Sequence, residues 1–547
     1  FSRNMLDLRA ANADGSLRVD QIDKSNWCLE PVNTPVTVRY RVYSKDLSVR
    51  AAHLDHTHGY YNGTSVFLEV VGQADQPCEV EIMRPGADYC DDWKVATSLP
   101  RLDAVPYAFG RYQAQDYDDL IDHPVEMGTF RLISFEACGV PHDIALTGRF
   151  ECDEDRLAQD LKTICEHHIR FFGEPAPMDY YLFQVMVVGD GYGGLEHRAS
   201  TSLVAARASL PKPGQDKIDD DYRDFLGLCS HEYFHTWNVK RIKPKAYEPY
   251  DLQNEVYTEL LWAFEGITSY YDDLALVRCG LIDENSYLEL LAQTMTRVER
   301  GLGRTRQSAA ESSFNTWTRF YKQDENAANA IVSYYAKGCL IAACIDLKMR
   351  ELSDAQHSLD DVMQQLWQNW RDGLSGPDED SIQNMIDEIL GQEVTPLLQR
   401  WIREVDELPL PELLRATGIE VIQRVAANLK DRGGKAADGE LAQVDFGASM
   451  KDTGDGMQVL RVSENAAAQM AGISAEDKII AIDGLALKLP QFEKKLLRAK
   501  PGDCWQVHAF RRDELHRFEV VLQPAAPTTY VLSVDEQNPD KSRAWLS

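Results

Sequence analysis

The sequence predicts a multidomain α+β protein: an N-terminal β-sandwich, a mixed and then helical middle, and a small β-rich domain near the C-terminus. Three observations predict it. The chain has 547 residues, more than one hydrophobic core sustains, so about three or four domains are expected. Period-2 alternation of apolar and polar residues is concentrated in roughly the first 150 positions and again beyond Pro411. Between them the apolar pattern is mostly helical, broken by glycine and proline.

The elements follow in order. Val36 to Tyr43 alternates as a half-buried strand does, and strands are also expected at Ser65–Val71 and Glu79–Met83. Turn clusters at Tyr61-Asn62-Gly63-Thr64 and Arg84-Pro85-Gly86 separate them. Asp153 to His168 reads as a helix and Tyr180 to Val188 as a buried strand, followed by the glycine-rich segment Gly189 to Gly194. Helices are expected from Tyr222 to about Val239 and from Tyr257 to Cys279, the second ended by Gly280. Tyr287 to about Trp401 is mostly helical, with a break at Leu374-Ser375-Gly376-Pro377. Strands at Met457–Val462 and Lys478–Ile482, with a turn at Asp483-Gly484, mark the small C-terminal domain. The resulting divisions are 1–150, 151–303, 304–408, 409–526, and a polar tail at 527–547.

Composition narrows the function. A net charge of −30 argues against nucleic acid and anionic membranes as partners, because both require a basic face. No apolar run approaches the roughly 18–20 residues of a membrane-spanning helix. The 11 cysteines are scattered with no C-x-x-C pair, and no signal peptide is visible, so a reducing, cytoplasmic setting is expected.

The decisive segment is His231-Glu232-Tyr233-Phe234-His235, an H-E-x-x-H motif in a predicted helix. Residues four apart share a helix face, so both imidazoles can address one ion, and neutral imidazole is a good zinc ligand. Glu232 then lies beside the metal without binding it, placed to take a proton from an attacking water. A catalytic zinc site needs a third protein ligand and one open position. Glu265 is the candidate, a carboxylate in the otherwise apolar stretch Trp262-Ala263-Phe264-Glu265-Gly266-Ile267. Asp272 follows two turns later on the same face, where it can orient a ligand imidazole or simply be a surface acid.

These residues carry a resemblance. His231 through Pro244 resembles the zinc-motif region of the glycyl aminopeptidase family, thermolysin-like metallopeptidases of the gluzincin type that carry a PDZ domain and are related to aminopeptidase N. Glu265-Gly266-Ile267-Thr268-Ser269-Tyr270-Tyr271 resembles that family's third-ligand helix, and the 29 residues between His235 and Glu265 suit it. Ser333-Tyr334-Tyr335-Ala336-Lys337-Gly338 resembles the segment that carries a catalytic tyrosine, here Tyr335. Asp55 to Thr64 is similar to the family's N-terminal β-domain. Ala471-Gly472-Ile473 with Asp477 to Gly484 is similar to a bacterial PDZ core.

The resemblance implies further roles. Gly193-Gly194-Leu195-Glu196-His197 falls where aminopeptidase N relatives hold the substrate's free amine, which implies Glu196 as the anchor, Gly193 and Gly194 as substrate-binding backbone, and His197 as a bystander. It implies a thermolysin-like catalytic domain at 151–303, a helical domain at 304–408 and a PDZ-like domain at 409–526. The activity implied is zinc-dependent removal of an N-terminal residue, glycine or alanine by preference, with one Zn2+ per chain, peptides with a free N-terminus as substrates, and a peptide C-terminus as a possible PDZ ligand. Two rival readings stay open: a zinc endopeptidase, and a PDZ-centred peptide-binding protein with a vestigial metal site.

Overall fold

The computed structural model describes residues 2–535 and 539–546. By its internal contacts the chain divides into two units, Phe1–Thr236 and Trp237–Ser547.

The first unit opens with short strands in several small sheets. Met5–Asn12 lies between Gly15–Leu17 and Thr37–Val42, and a four-stranded sheet runs Ala52–Leu54, His58–Tyr61, Val125–Gly128, Lys94–Ala96. The expected strand at Ser65–Val71 does not form. Gly63–Ser65 is a single 3-10 turn, and Val70 and Val71 are 60% and 76% exposed, so this run has no core to alternate against. Phe67 packs against the nearby core, edge-on to Tyr61 at 5.7 Å.

A five-stranded sheet follows, in the order Arg131–Ala137, Val140–Thr147, Tyr181–Val188, Ser200–Ala206, Tyr192–Glu196. Its first two strands lie before residue 150. Tyr181–Val188 pairs parallel to both neighbours and is buried along nearly its whole length, as a central parallel strand must be. The glycine-rich segment is not a loose turn: Gly193 pairs with Val204 and Gly194 with Leu203, making Tyr192–Glu196 the antiparallel edge strand. The helix Glu154–Phe172, capped by Asp153, buries Leu157, Leu161, Ile164 and Ile169 at helical spacing.

The second unit is helical, then β-rich. The expected helix at Tyr257–Cys279 starts late. The Glu379 carboxylate accepts the Thr258 hydroxyl and the Glu259 amide, holding that stretch out of the helix, which begins with the π turn at Trp262. Glu284–Arg300, Tyr334–Leu352, Leu359–Arg371, Ser381–Leu390 and Thr395–Arg403 continue the helical part. The small domain is a sheet in the order Ala448–Asp452, Met457–Val462, Lys478–Ile482, Cys504–Arg511, Glu514–Val521, with the helix Leu489–Arg498 over a core that includes Phe446, Phe492 and Trp505. No helix among the described residues is long and apolar enough to cross a membrane.

The expected polar tail at 527–547 is corrected by the fold; of it, only residues 536–538 and 547 lie outside the described residues. Thr529–Val534 pairs antiparallel with Ile419–Arg424, so the chain entering the small domain and the chain leaving it are joined by one ladder. Pro539–Leu546 is a helix, and Trp545 is 1% exposed. The Trp545 indole donates to the Tyr270 hydroxyl at 2.9 Å, which donates to Asp346 at 2.7 Å. Arg350 binds both Asp346 and the Ala544 carbonyl. One tryptophan and one arginine thus convert a polar segment into part of a helical core. Replacing Trp545 with Ala is expected to cost about 3 kcal/mol of stability, read as a lower urea midpoint; a change under about 0.5 kcal/mol would show that the segment is peripheral.

Candidate active site

The motif helix is Asp220–Phe234, with the Asp219 carboxylate accepting the Tyr222 amide at its start. Its first two residues are exposed and Asp224 and His231 are half-buried, but the rest is buried, so an apolar stripe alone does not set its rotation. Directional contacts do. Tyr233 donates its hydroxyl to His142 Nε2 at 2.9 Å, and Ser230 pairs with His168 Nε2 at 2.9 Å. The Tyr233 ring also packs on Tyr181 and Phe183 of the central strand, at 4.7 and 6.1 Å between centroids. His142 Nδ1 faces the Val140 carbonyl at 2.9 Å, so the neutral tautomer satisfies both ring nitrogens. Burial lowers the His142 pKa to about 4 and holds His168 well below the ordinary histidine value.

The helix stops at Phe234, short of the expected Val239. His235 is its last residue in helical register, its amide bonding the His231 carbonyl at 3.2 Å, and this one turn preserves the i, i+4 relation. The two Nε2 atoms are 3.1 Å apart, with the rings nearly perpendicular. Two nitrogens bound tetrahedrally to one zinc at about 2.0–2.1 Å would stand about 3.3 Å apart, so the pair fits a shared ion.

Glu196, Glu232 and His235 gather beside them, each offering a ligand atom within 4.8 Å of the others. His235 is 1% and Glu232 5% exposed. Two carboxylates this close repel, so the space between them favours a cation. Gly194 explains how Glu232 fits against the edge strand. A Cβ on Gly194 would stand 2.1 Å from Glu232 Oε1 and 2.5 Å from its Cδ, whereas a Cβ on Gly193 meets nothing within 4 Å. The two glycines are not equivalent.

In the second unit, Glu265 lies in a π-helical turn, Trp262–Gly266, that runs into the helix Ile267–Arg278. Such turns widen the backbone ladder locally and recur at functional sites. Asn238 serves the loosened carbonyls: its side-chain amide reaches Ala263 O at 3.4 Å, Phe264 O at 3.3 Å and Thr268 Oγ1 at 3.1 Å. The turn also packs backbone to backbone on the helix Tyr334–Leu352. A Cβ on Gly266 would lie 2.5 Å from Gly338 Cα, and one on Gly338 would lie 2.7 Å from Trp262 O. This Gly–Gly contact sets Glu265 relative to Tyr335. Tyr334 is fully buried, with its hydroxyl 3.0 Å from Thr316 Oγ1, while Tyr335 is only half-buried, stacked on Phe320. Asp272 is half-buried, and its Oδ1 accepts the Asp273 amide at 2.6 Å.

Sequence reasoning missed Asn238, His142 and the Gly266–Gly338 pair. Glycine at both helical positions was the available signal, since glycine inside a helix costs stability unless backbones must approach. Nothing local marked His142, which lies 91 positions from the tyrosine it meets.

The β-rich start, the H-E-x-x-H helix and the small C-terminal domain together define a multidomain peptidase. Residues 224–341 match the M61 glycyl aminopeptidase family model, residues 1–129 the Peptidase M61 N-terminal domain, and residues 444–522 a PDZ domain. A crystal structure of an aminopeptidase N family protein from Idiomarina loihiensis is 45% identical, covers 100% of this chain and 92% of that one, and superposes with a TM-score of 0.96. The chain belongs to the M61 glycyl aminopeptidase family. An M1 zinc metallopeptidase from Deinococcus radiodurans (13% identity, 75% of this chain and 87% of that one) and an aminopeptidase A from Legionella pneumophila (12%, 73% and 44%) both reach a TM-score of 0.47, too low to support an inference. No curated protein matches the chain.

Two predictions follow from the packing. Gly194→Ala should lower kcat about hundredfold by displacing Glu232, and Gly193→Ala, whose Cβ meets no protein atom, should lower kcat less than about tenfold; equal effects in a kinetic assay would refute the steric account. His142 titrates low when folded and near its ordinary value when unfolded, so the unfolded chain binds the extra proton between those values. Stability should therefore be full above about pH 6.5 and fall as pH drops toward about 4, by about 3 kcal/mol from this group. His142→Gln should flatten that part of the stability–pH curve, measured by urea unfolding at stepped pH.

Proposed function

We propose that this peptidase is a zinc-dependent aminopeptidase of the gluzincin type that hydrolyses the first peptide bond of peptides with a free N-terminus, glycine or alanine being preferred there. The observation that carries the reading is the pair of motif imidazoles with Nε2 atoms 3.1 Å apart, beside two carboxylates. By residue type His231, His235 and Glu265 would suit zinc, as two imidazoles and one carboxylate with a fourth position left for substrate or water. Zinc held there would supply Lewis acidity toward the scissile carbonyl and the attacking water.

The chain's own groups do the rest. Glu232 takes the proton of the attacking water and delivers it to the leaving amine. Tyr335 donates its hydroxyl to the developing oxyanion, a role the buried and bonded Tyr334 is ill placed to fill. Glu196 pairs with the substrate ammonium, supported by the backbone of Gly193 and Gly194. Its closeness to His235 leaves room for one residue before the scissile bond, which favours an aminopeptidase over an endopeptidase. Asp272 orients a ligand imidazole. The preference for a small first residue rests on the family alone.

The PDZ domain offers a second peptide site. Ala448–Asp452 is an edge strand beside the helix Leu489–Arg498, the arrangement that takes a peptide by strand addition. The Gly447 amide is engaged by the Asp445 carboxylate at 2.9 Å, so capture of a C-terminal carboxylate would have to displace that contact. The eleven cysteines are unbridged, which supports a cytoplasmic location.

Hydrolysis of Gly- and Ala-p-nitroanilide, beside N-acetylated controls, tests the reading. Cleavage should require a free amine, disappear with chelator and return with zinc, and Glu232→Gln should reduce kcat by about 10²-fold or more. Equal cleavage of acetylated peptides would establish an endopeptidase instead. Inertness of the zinc-loaded protein toward all of them would leave the PDZ domain as the functional part.

A further inference from the structure

Glu196 ends an edge strand, with a hydrogen-bonded neighbour on one side only. Such a strand frays at its tip unless something ties it. The tie comes from a segment 75 positions earlier in the chain. Asp122 directly follows the short helix Tyr117–Ile121, is 7% exposed, and bonds the two residues after Glu196. Its Oδ1 lies 3.3 Å from His197 Nδ1, its Oδ2 accepts the Arg198 amide at 3.0 Å, and the Arg198 guanidinium stands 3.7 Å from Oδ2 while also pairing with Asp118.

A second set of contacts grips the same turn. His123 Nδ1 is 2.7 Å from Ser98 Oγ, which donates to Ser200 Oγ at 3.2 Å, and His123 Nε2 is 3.2 Å from Asp119. The turn closes on itself through the His197 amide to Ser200 O at 2.9 Å and Thr201 Oγ1 to Leu195 O at 3.0 Å. His197, Ser200 and Thr201 are all buried.

We infer that Asp122 is a positioning residue for substrate recognition: by clamping His197 and Arg198 it fixes the Glu196 carboxylate at the height where it meets the substrate's ammonium. The inference rests on the aminopeptidase reading. Buried, doubly bonded carboxylates are stiff, and a displacement of about 1 Å in a recognition group is worth about a hundredfold. The clamp also gives the N-terminal β-rich part a task in catalysis, because it holds the strand that selects free N-termini.

The test is a double-mutant cycle on the zinc-loaded full chain with Gly-p-nitroanilide. Asp122→Asn keeps the shape and removes the charge. It should raise KM about tenfold and change kcat less than about twofold. In a Glu196→Gln background the same substitution should add less than about twofold, because the group it positions is already gone. A purely structural role predicts equal factors in both backgrounds, and that result, or an unchanged KM, overturns the inference. Arg198→Gln, at a partly exposed side chain, tests the same clamp if Asp122→Asn does not fold, with the same expected split. An inert wild-type protein would overturn the aminopeptidase reading and this inference together. An active wild type with an indifferent Asp122→Asn overturns the inference alone.

Discussion

The rotation of one helix about its own axis is the constraint on which the first unit's chemistry depends. Beyond its two exposed first residues Asp220–Phe234 is mostly buried, with Asp224 and His231 half-buried, so hydrophobic burial alone does not decide which face points to the edge strand. The hydrogen bonds from Tyr233 to His142 and from Ser230 to His168 are directional and sealed from water, where a misdirected polar group is costly. They exclude the other rotations. His231, Glu232 and His235 then face the edge strand because Tyr233 and Ser230 face away from it. The same burial keeps His142 and His168 neutral, so these two contacts add no positive charge behind the motif.

The second unit solves a different problem, the placement of a single carboxylate. Glu265 sits in a π turn, which shifts the phase of the helix by one residue relative to a regular continuation. That turn survives because Asn238 binds the carbonyls it loosens and because Gly266 and Gly338 let two backbones touch. Close backbone approach fixes position more tightly than side-chain packing can, since neither partner has rotamers to adjust.

The order of the domains was readable because each has its own period. Alternation at the start of Met457–Val462 and helical spacing in Glu154–Phe172 are local patterns that burial on one face imposes. Misreadings occurred where burial is decided at a distance. Ser65–Val71 has the composition of a strand but no sheet to join, and Val71 stays in solvent. The residues around Trp545 look like a polar tail, yet Tyr270, 275 positions earlier, offers the tryptophan a buried partner. His197 looked incidental beside Glu196 until Asp122 was seen to hold it.

By itself, the sequence determined the class of chemistry. Helical geometry makes H-E-x-x-H a two-imidazole face wherever it is helical, because i and i+4 meet within one turn. A carboxylate in an apolar stretch marked Glu265, and family likeness then named Glu196 and Tyr335. Only the tertiary structure decided which of two adjacent tyrosines is sealed against Thr316 and which is left half-buried, which of two adjacent glycines must lack a side chain, and what anchors the strand that ends at Glu196. The reason is the same in each case. Neighbours in sequence share composition and local pattern, but they differ in what the rest of the chain places against them, and that difference is set by contacts tens of residues away.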